Sequence, residues 1–154
     1  MTSTELASYL KETQFIADLK SDTKNAVIEE LLQPLVDAHL VKSKHLVLMT
    51  LKQRETLGST GIGSHVAIPH CRTLSVSEIH IVAGLSRNGI DFDGIDGKKV
   101  QLFFLILAPP QEETNRYLPI LGKICELARE KKLREQMIKA QDLNEFIRII
   151  QKGK

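Results

Sequence analysis

The sequence predicts a three-layer α/β/α sandwich built on a small mixed β-sheet. Three observations point there. Val100–Ala108 is apolar at almost every position, as a central strand covered on both faces must be. Residues 79–86 alternate, with Ile79, Ile81, Ala83 and Leu85 on one side. Helical periodicity flanks these strands, at Val27, Leu31 and Leu35 before them and at Leu118, Leu121, Ile124 or Cys125, and Ala128 after them. The expected order is β-α-α-β-β-β-α-α-α.

A brief N-terminal turn of helix leads into a short strand at 14–19. Ser21 or Asp22 can cap the first long helix, and Pro34 inside it predicts a kink or two shorter helices. The second helix should start at Ser43, bury Leu46, Met49 and Leu57, and stop at Gly58. Residues 66–68 read as a strand that Pro69 brings to an end. After the central strand, Pro109 and Pro110 break the chain. The next helix tolerates Pro119 in its first turn. A short helix at 133–140 follows. The last helix opens with Asp142-Leu-Asn-Glu145, an acidic analogue of the capping box, and buries Leu143, Phe146, Ile147 and Ile150.

With 154 residues and no repeat or linker, the chain 1–154 reads as one domain. Apolar residues are 42% and charged residues 26%, ordinary for a globular protein. A net charge of +2 is far from the basic footprint of a nucleic-acid binder. The longest apolar run, 102–108, is too short to enter a bilayer as a span, and the N-terminus lacks the pattern of a secretory signal. Cys71 and Cys125 stand far apart in no metal-like spacing. A cytoplasmic protein with reduced thiols is the expectation.

The chemistry is concentrated at 54–72. Gly58, Gly61 and Gly63 can bring backbone amides close to an anion. Pro69 should end the strand and leave His70 at the rim of the sheet. A neutral imidazole is a competent nucleophile near pH 7, because its unperturbed pKa is roughly 6.5. The fork of Arg54 fits phosphate oxygens. Other readings of the loop fail. There is no P-loop lysine, and a dinucleotide fingerprint would need glycine at Val66.

The run Arg54-Glu55, then Gly58-Ser-Thr-Gly-Ile-Gly63, then Ala67-Ile-Pro-His70 resembles the signature of the fructose/mannitol-type (type-2) EIIA proteins of the bacterial sugar phosphotransferase system. The nitrogen-regulatory branch is the nearest match. The stretch from Ile90 to Val100 and the strand ending in Ala108-Pro109 are similar too. The resemblance implies that His70 accepts a phosphoryl group from HPr or an HPr-like carrier of the nitrogen branch, without a cofactor. It implies that Arg54 contacts the phosphate, and that Thr60 and the amides around Gly61 and Gly63 lie near it. In two places the chain departs from the family. Tyr117 stands where a second active-site histidine is usual, and Ser64-His65 stands where Asn-Gly is common. A tyrosine can donate one hydrogen bond to phosphate but carries no positive charge. His65 is therefore a candidate substitute for the missing histidine.

His65, His70, Cys71 and His80 could be read as zinc ligands, but neighbours on an extended chain point to opposite sides, and no metal is expected. Asp91, Asp93 and Asp96 lack the glutamate of a calcium loop, since its twelfth position is Leu102, and they suit a turn between strands instead. The basic cluster Arg129, Lys131, Lys132 and Arg134 reads as a solvated helix face. The leading functional expectation is a regulatory phosphocarrier that acts through protein partners, with no fused IIB or membrane segment in the chain. A transport component passing phosphate to a fructose or mannitol IIB is the first alternative. A degenerate interaction module without phosphate, motivated by Tyr117, is the second.

Overall fold

The computed structural model describes residues 1–153. In chain order the elements are α1 (Ser3–Ala7), β1 (Phe15–Ile16), α2 (Lys24–Asp37), α3 (Lys44–Thr56), β2 (Gly61–Gly63), β3 (Val66–Ala67), β4 (His70–Arg72), β5 (His80–Ile90), β6 (Val100–Ala108), α4 (Tyr117–Arg129), α5 (Lys131–Ile138) and α6 (Leu143–Lys152). The sheet runs β1-β5-β6-β3-β2, and β4 also pairs with β6. It is mixed: β5 and β6 form an antiparallel hairpin, while β1, β3 and β4 join their neighbours in parallel.

Strand alternation sorts the core into two layers. Val66, Ile81, Ala83, Leu85, Leu102, Phe104 and Ile106 face α1, α4, α5 and α6, whereas Ala67, Cys71, Val82, Phe103, Leu105 and Leu107 face α2 and α3. This is the expected sandwich, with β6 covered on both sides as its sequence requires.

Several elements differ in detail from the sequence expectation. The glycine-rich stretch pairs as β2, an antiparallel partner of β3. Pro69 interrupts the edge strand without ending it. The proline offers no N–H, but its carbonyl accepts from the Ile106 amide at 3.0 Å, and the chain resumes as β4 in the same register along β6. Thr23, not Ser21 or Asp22, caps α2, which continues unbroken through Pro34 because the proline sits in the last turn and costs little of the ladder. On α3 the buried face is Val47 and Leu51, while Leu46, Met49 and Leu57 are exposed. This helix packs at the sheet's edge against α2 and β4 and needs only a narrow apolar stripe. On α4 the buried stripe is shifted to Tyr117, Ile120, Ile124, Leu127 and Ala128, leaving Leu118 exposed. The caps at Ser43 and Asp142 form as expected, and the 91–99 connection is the turn of the β5–β6 hairpin.

Candidate functional site

The functional segment owes its shape to how far β2 covers the edge of the sheet, since β2 pairs with β3 and not with β4. The strand β2 reaches only as far as Thr60, whose carbonyl accepts the Ile68 amide at 3.0 Å. Beyond that point the sheet edge is open, and the Ile68 carbonyl has no strand partner to satisfy it. The His70 ring fills this role: its Nδ1 lies 2.6 Å from the Ile68 oxygen. A carbonyl only accepts, so Nδ1 carries the proton and Nε2 keeps the lone pair. One backbone contact thus sets the tautomer of the half-buried imidazole.

Around this ring lies an open depression of about 600 Å3, lined by Thr50, Gln53, Arg54, Leu57, His70 and Arg72 among others, with Tyr117 in its wall. Arg54 comes from the last turn of α3, where a cation also suits the helix dipole, and its Nη1 donates to the Gly58 carbonyl at 2.9 Å. Tyr117 opens α4, is 7% exposed, and holds its ring centroid 6.3 Å from that of His70. Burial, above all, pushes its hydroxyl up to about 12, against the pull of the Arg72 and Arg54 charges. The phenol is therefore neutral at any working pH.

Arg72 was not among the residues the sequence reading singled out. It lies two positions from His70 on β4, and that spacing returns a side chain to the same face of a strand. Its Cζ sits 4.4 Å from the Tyr117 ring centroid. The period-two relation to His70 was the available signal. Cys71, between them, turns into the α2–α3 layer, where burial pushes its thiol up to about 12 and makes it unreactive.

Four other candidate positions lie elsewhere. Thr60 is 4% exposed, its amide donates to Glu55 Oε1 at 3.0 Å, and its hydroxyl donates to Glu55 Oε2. Glu55 in turn pairs with Lys24 at 3.0 Å. The Gly61 amide donates to Ser59 Oγ at 3.0 Å, and the Ser64 amide beside Gly63 donates to Asp96 at 2.9 Å. The glycine segment does bind carboxylates, but they are the protein's own. Gly61 is required for close approach: a Cβ there would stand 2.9 Å from the Gly94 Cα of the β5–β6 turn. Glu55 and Asp96 are the residues that sequence reasoning missed here.

His65 does not line the depression around His70. Its backbone carbonyl accepts from Gln101 and Leu102, whereas His70 is in register with Ile106. The two residues are thus offset along β6 by about 16 Å at the rise of a strand. His65 lines a separate groove with Lys98, Lys131, Arg134 and Lys139. Near α4, the Glu112 carboxylate accepts from the Arg116 amide at 2.8 Å and so occupies that helix N-terminus. No group of three or more His, Cys, Asp or Glu side chains is arranged to hold a metal among the described residues, and no helix there is long and apolar enough to cross a membrane.

Residues 8–153 match the family described as "Phosphoenolpyruvate-dependent sugar phosphotransferase system, EIIA 2". The chain is 32% identical, over 86% of its length, to the fructose-specific EIIABC component of Bacillus subtilis, and it spans about a fifth (21%) of that longer protein. It is 31% identical to a nitrogen regulatory protein of Pseudomonas aeruginosa, over 94% of each chain. Its fold superimposes with a TM-score of 0.86 on the nitrogen regulatory protein IIA-Ntr of Neisseria meningitidis, which is 30% identical, covering 95% of this chain and 99% of that one. A match over nearly every described residue, in sequence and in fold, makes the chain a member of the type-2 EIIA family of the phosphoenolpyruvate-dependent sugar phosphotransferase system.

Proposed function

We propose that this protein is a phosphoryl carrier whose nucleophile is Nε2 of His70. The observation that carries the reading is that two guanidinium groups, of Arg54 and Arg72, line the depression around His70, whose bond from Nδ1 to the Ile68 carbonyl leaves Nε2 with the lone pair. The Nε2 lone pair attacks the phosphorus of a phosphohistidine on HPr or an HPr-like donor. The new P–N bond forms as the donor's P–N bond breaks, and that electron pair returns to the donor's imidazole. Nδ1 keeps its proton throughout, and the Ile68 oxygen stabilises the positive charge that the phosphorylated ring acquires. Catalysis is then chiefly positioning and charge stabilisation, with Arg54 as a phosphate contact.

Exposed Leu57 and Leu118 beside the site offer an apolar rim for protein docking. A phosphoryl group brings about −1.5 to −2 charges into that rim, enough to change which partner docks. The near full-length similarity to a nitrogen regulatory protein favours a regulatory carrier in the cytoplasm. The similarity to a fructose-specific component favours transfer to a IIB partner as the second reading.

Incubation with phosphoenolpyruvate, enzyme I and the donor carrier should add the mass of one acid-labile phosphoryl group to the wild type and none to His70→Ala. A folded His70→Ala that still gains the group would overturn the assignment. Rapid transfer onward to a purified fructose IIB would decide for transport; retention of the group in its presence would decide for regulation.

A further inference from the structure

We propose that Arg72 is a second phosphate-holding group of this site and that Tyr117 is its positioning residue, the pair supplying the cation that the chain lacks where the family has a second histidine. The inference rests on His70 being the phosphorylated residue.

Strand geometry puts Arg72 on the His70 side of β4, at the open edge of the sheet. There its guanidinium lies over the Tyr117 ring, 4.4 Å from the centroid, while the His70 ring approaches the same tyrosine at 6.3 Å. Tyr117 is itself held in the core facing α4 and α6, so the platform under the guanidinium is rigid. A cation stacked on a fixed ring gives up less freedom when an anion arrives.

Stacking uses the face of the guanidinium and leaves its in-plane N–H groups for oxygen acceptors. The one protein acceptor for Arg72 among the described residues is the Pro109 carbonyl at 3.5 Å, the outer limit of a hydrogen bond. Charge balance points the same way. Among the described residues, every ion pair of an acidic side chain is made by a lysine or the N-terminus, and neither Arg54 nor Arg72 has a carboxylate within 4.0 Å. Glu112, which lines the neighbouring depression with Arg72, spends its oxygens on the Thr114 and Arg116 amides. Two guanidinium groups without an acidic partner, lining one depression with the imidazole, form an incomplete charge set that a phosphoryl group completes.

The test is the single-turnover rate of His70 phosphorylation at saturating donor, with thermal unfolding as a check on each variant. Arg72→Ala should be slower by about 10- to 100-fold, and Arg72→Lys should fall between it and the wild type, since the charge stays but the stacked fork is lost. Tyr117→Leu should lose most of what Arg72→Ala loses. Tyr117→Phe, which keeps the ring and drops the hydroxyl, should return to within about threefold of the wild type. The double variant Tyr117→Leu/Arg72→Ala should be no slower than Arg72→Ala alone.

A wild type phosphorylated on His70 together with an Arg72→Ala rate within twofold of it would overturn the proposal and leave the carrier reading standing. Losses that multiply in the double variant, or Tyr117→Phe as slow as Tyr117→Leu, would overturn the positioning role of Tyr117. A wild type that takes no phosphoryl group from a saturating donor would overturn the carrier reading, and this inference with it.

Discussion

The segment 65–72 along the sheet's edge has a histidine near each end, and the two make an instructive pair. Both imidazoles are half-buried, and both hold Nδ1 against a backbone carbonyl, Lys99 for His65 at 2.8 Å and Ile68 for His70 at 2.6 Å. A fixed tautomer is therefore common to both and cannot by itself mark the nucleophile. The cations differ. Beside His65, Lys131 approaches Glu135 at 4.0 Å, and Arg134 donates to the Ala128 carbonyl at 2.6 Å. The remaining lysines there stand on exposed, mobile stems. Beside His70, two guanidiniums lack acidic partners and one is stacked on a buried ring. Lys98, Arg134 and Lys139 at the His65 end likewise have no carboxylate within 4.0 Å among the described residues, so what separates the ends is pre-positioned charge, the guanidinium stacked on a buried ring. A phosphoryl group needs that charge already in place.

The sharpest way to break this contrast is to remove the anchored cation at the His70 end. Arg54→Ala should slow phosphorylation by about 10- to 100-fold while changing stability by no more than about 1 kcal/mol, because the residue contributes one hydrogen bond to the Gly58 carbonyl. Donor-to-protein transfer kinetics and urea unfolding measure the two quantities. A cooperative loss of structure would make Arg54 a helix-end device and leave Arg72 as the principal phosphate contact.

Much of this architecture was legible in the chain. The doubly apolar β6, the alternation of β5, and the caps at Ser43 and Asp142 are local patterns that tertiary packing reinforces. The buried faces of α3 and α4 were less legible. Leu46, Met49, Leu57 and Leu118 carry the apolar character of core residues, yet they lie off the face that α3 turns to α2 and β4 and off the face that α4 turns to the core. In the site, His70 and Arg54 were legible through the signature run and Tyr117 through its departure from the family's second histidine, and the three line one depression. The intended anion of the glycine segment was not. Clustered amides announce an anion, but nothing in the spacing says that Glu55, one residue after Arg54, folds back to become it. The place of His65 in a separate groove was not legible for a related reason. Sequence proximity to His70 says nothing of distance when the chain between them is extended.

The bracing of the glycine segment gives the next test. Gly61→Ala would drive a methyl group against Gly94 and should destabilise the domain by about 1–3 kcal/mol, as overpacking at a backbone contact does. If the Gly61 amide were also a phosphate donor, transfer would slow by more than the loss of folded protein accounts for. Urea midpoints and transfer rates on the same preparation distinguish the two.

A third histidine supplies a smaller effect, on pH. His80 opens β5 at the His70 end of the sheet and is 7% exposed. Burial lowers its pKa below 6.5, with Glu78 opposing and Lys11 adding to the shift. A base with a depressed folded-state pKa binds its proton more readily when unfolded, so stability is complete above about pH 6.5 and declines as pH falls toward the folded-state value. His80→Gln should flatten that decline below about pH 6.5. An unchanged slope would assign the acid sensitivity to another group.

The smallest expected effect is at His65, and it bears most directly on the opening contrast. The residue sits at φ 69° in the turn between β2 and β3, a left-handed backbone that asparagine tolerates and alanine does not. His65→Asn therefore removes the imidazole without forcing the turn. Offset by about 16 Å from His70 along the strand, it should leave the phosphorylation rate within about twofold of the wild type. A tenfold slowing with an unchanged melting temperature would mean that the His65 groove helps to seat the phosphoryl donor, and that the cations at that end, though partly compensated, act on transfer through the partner rather than through the phosphate.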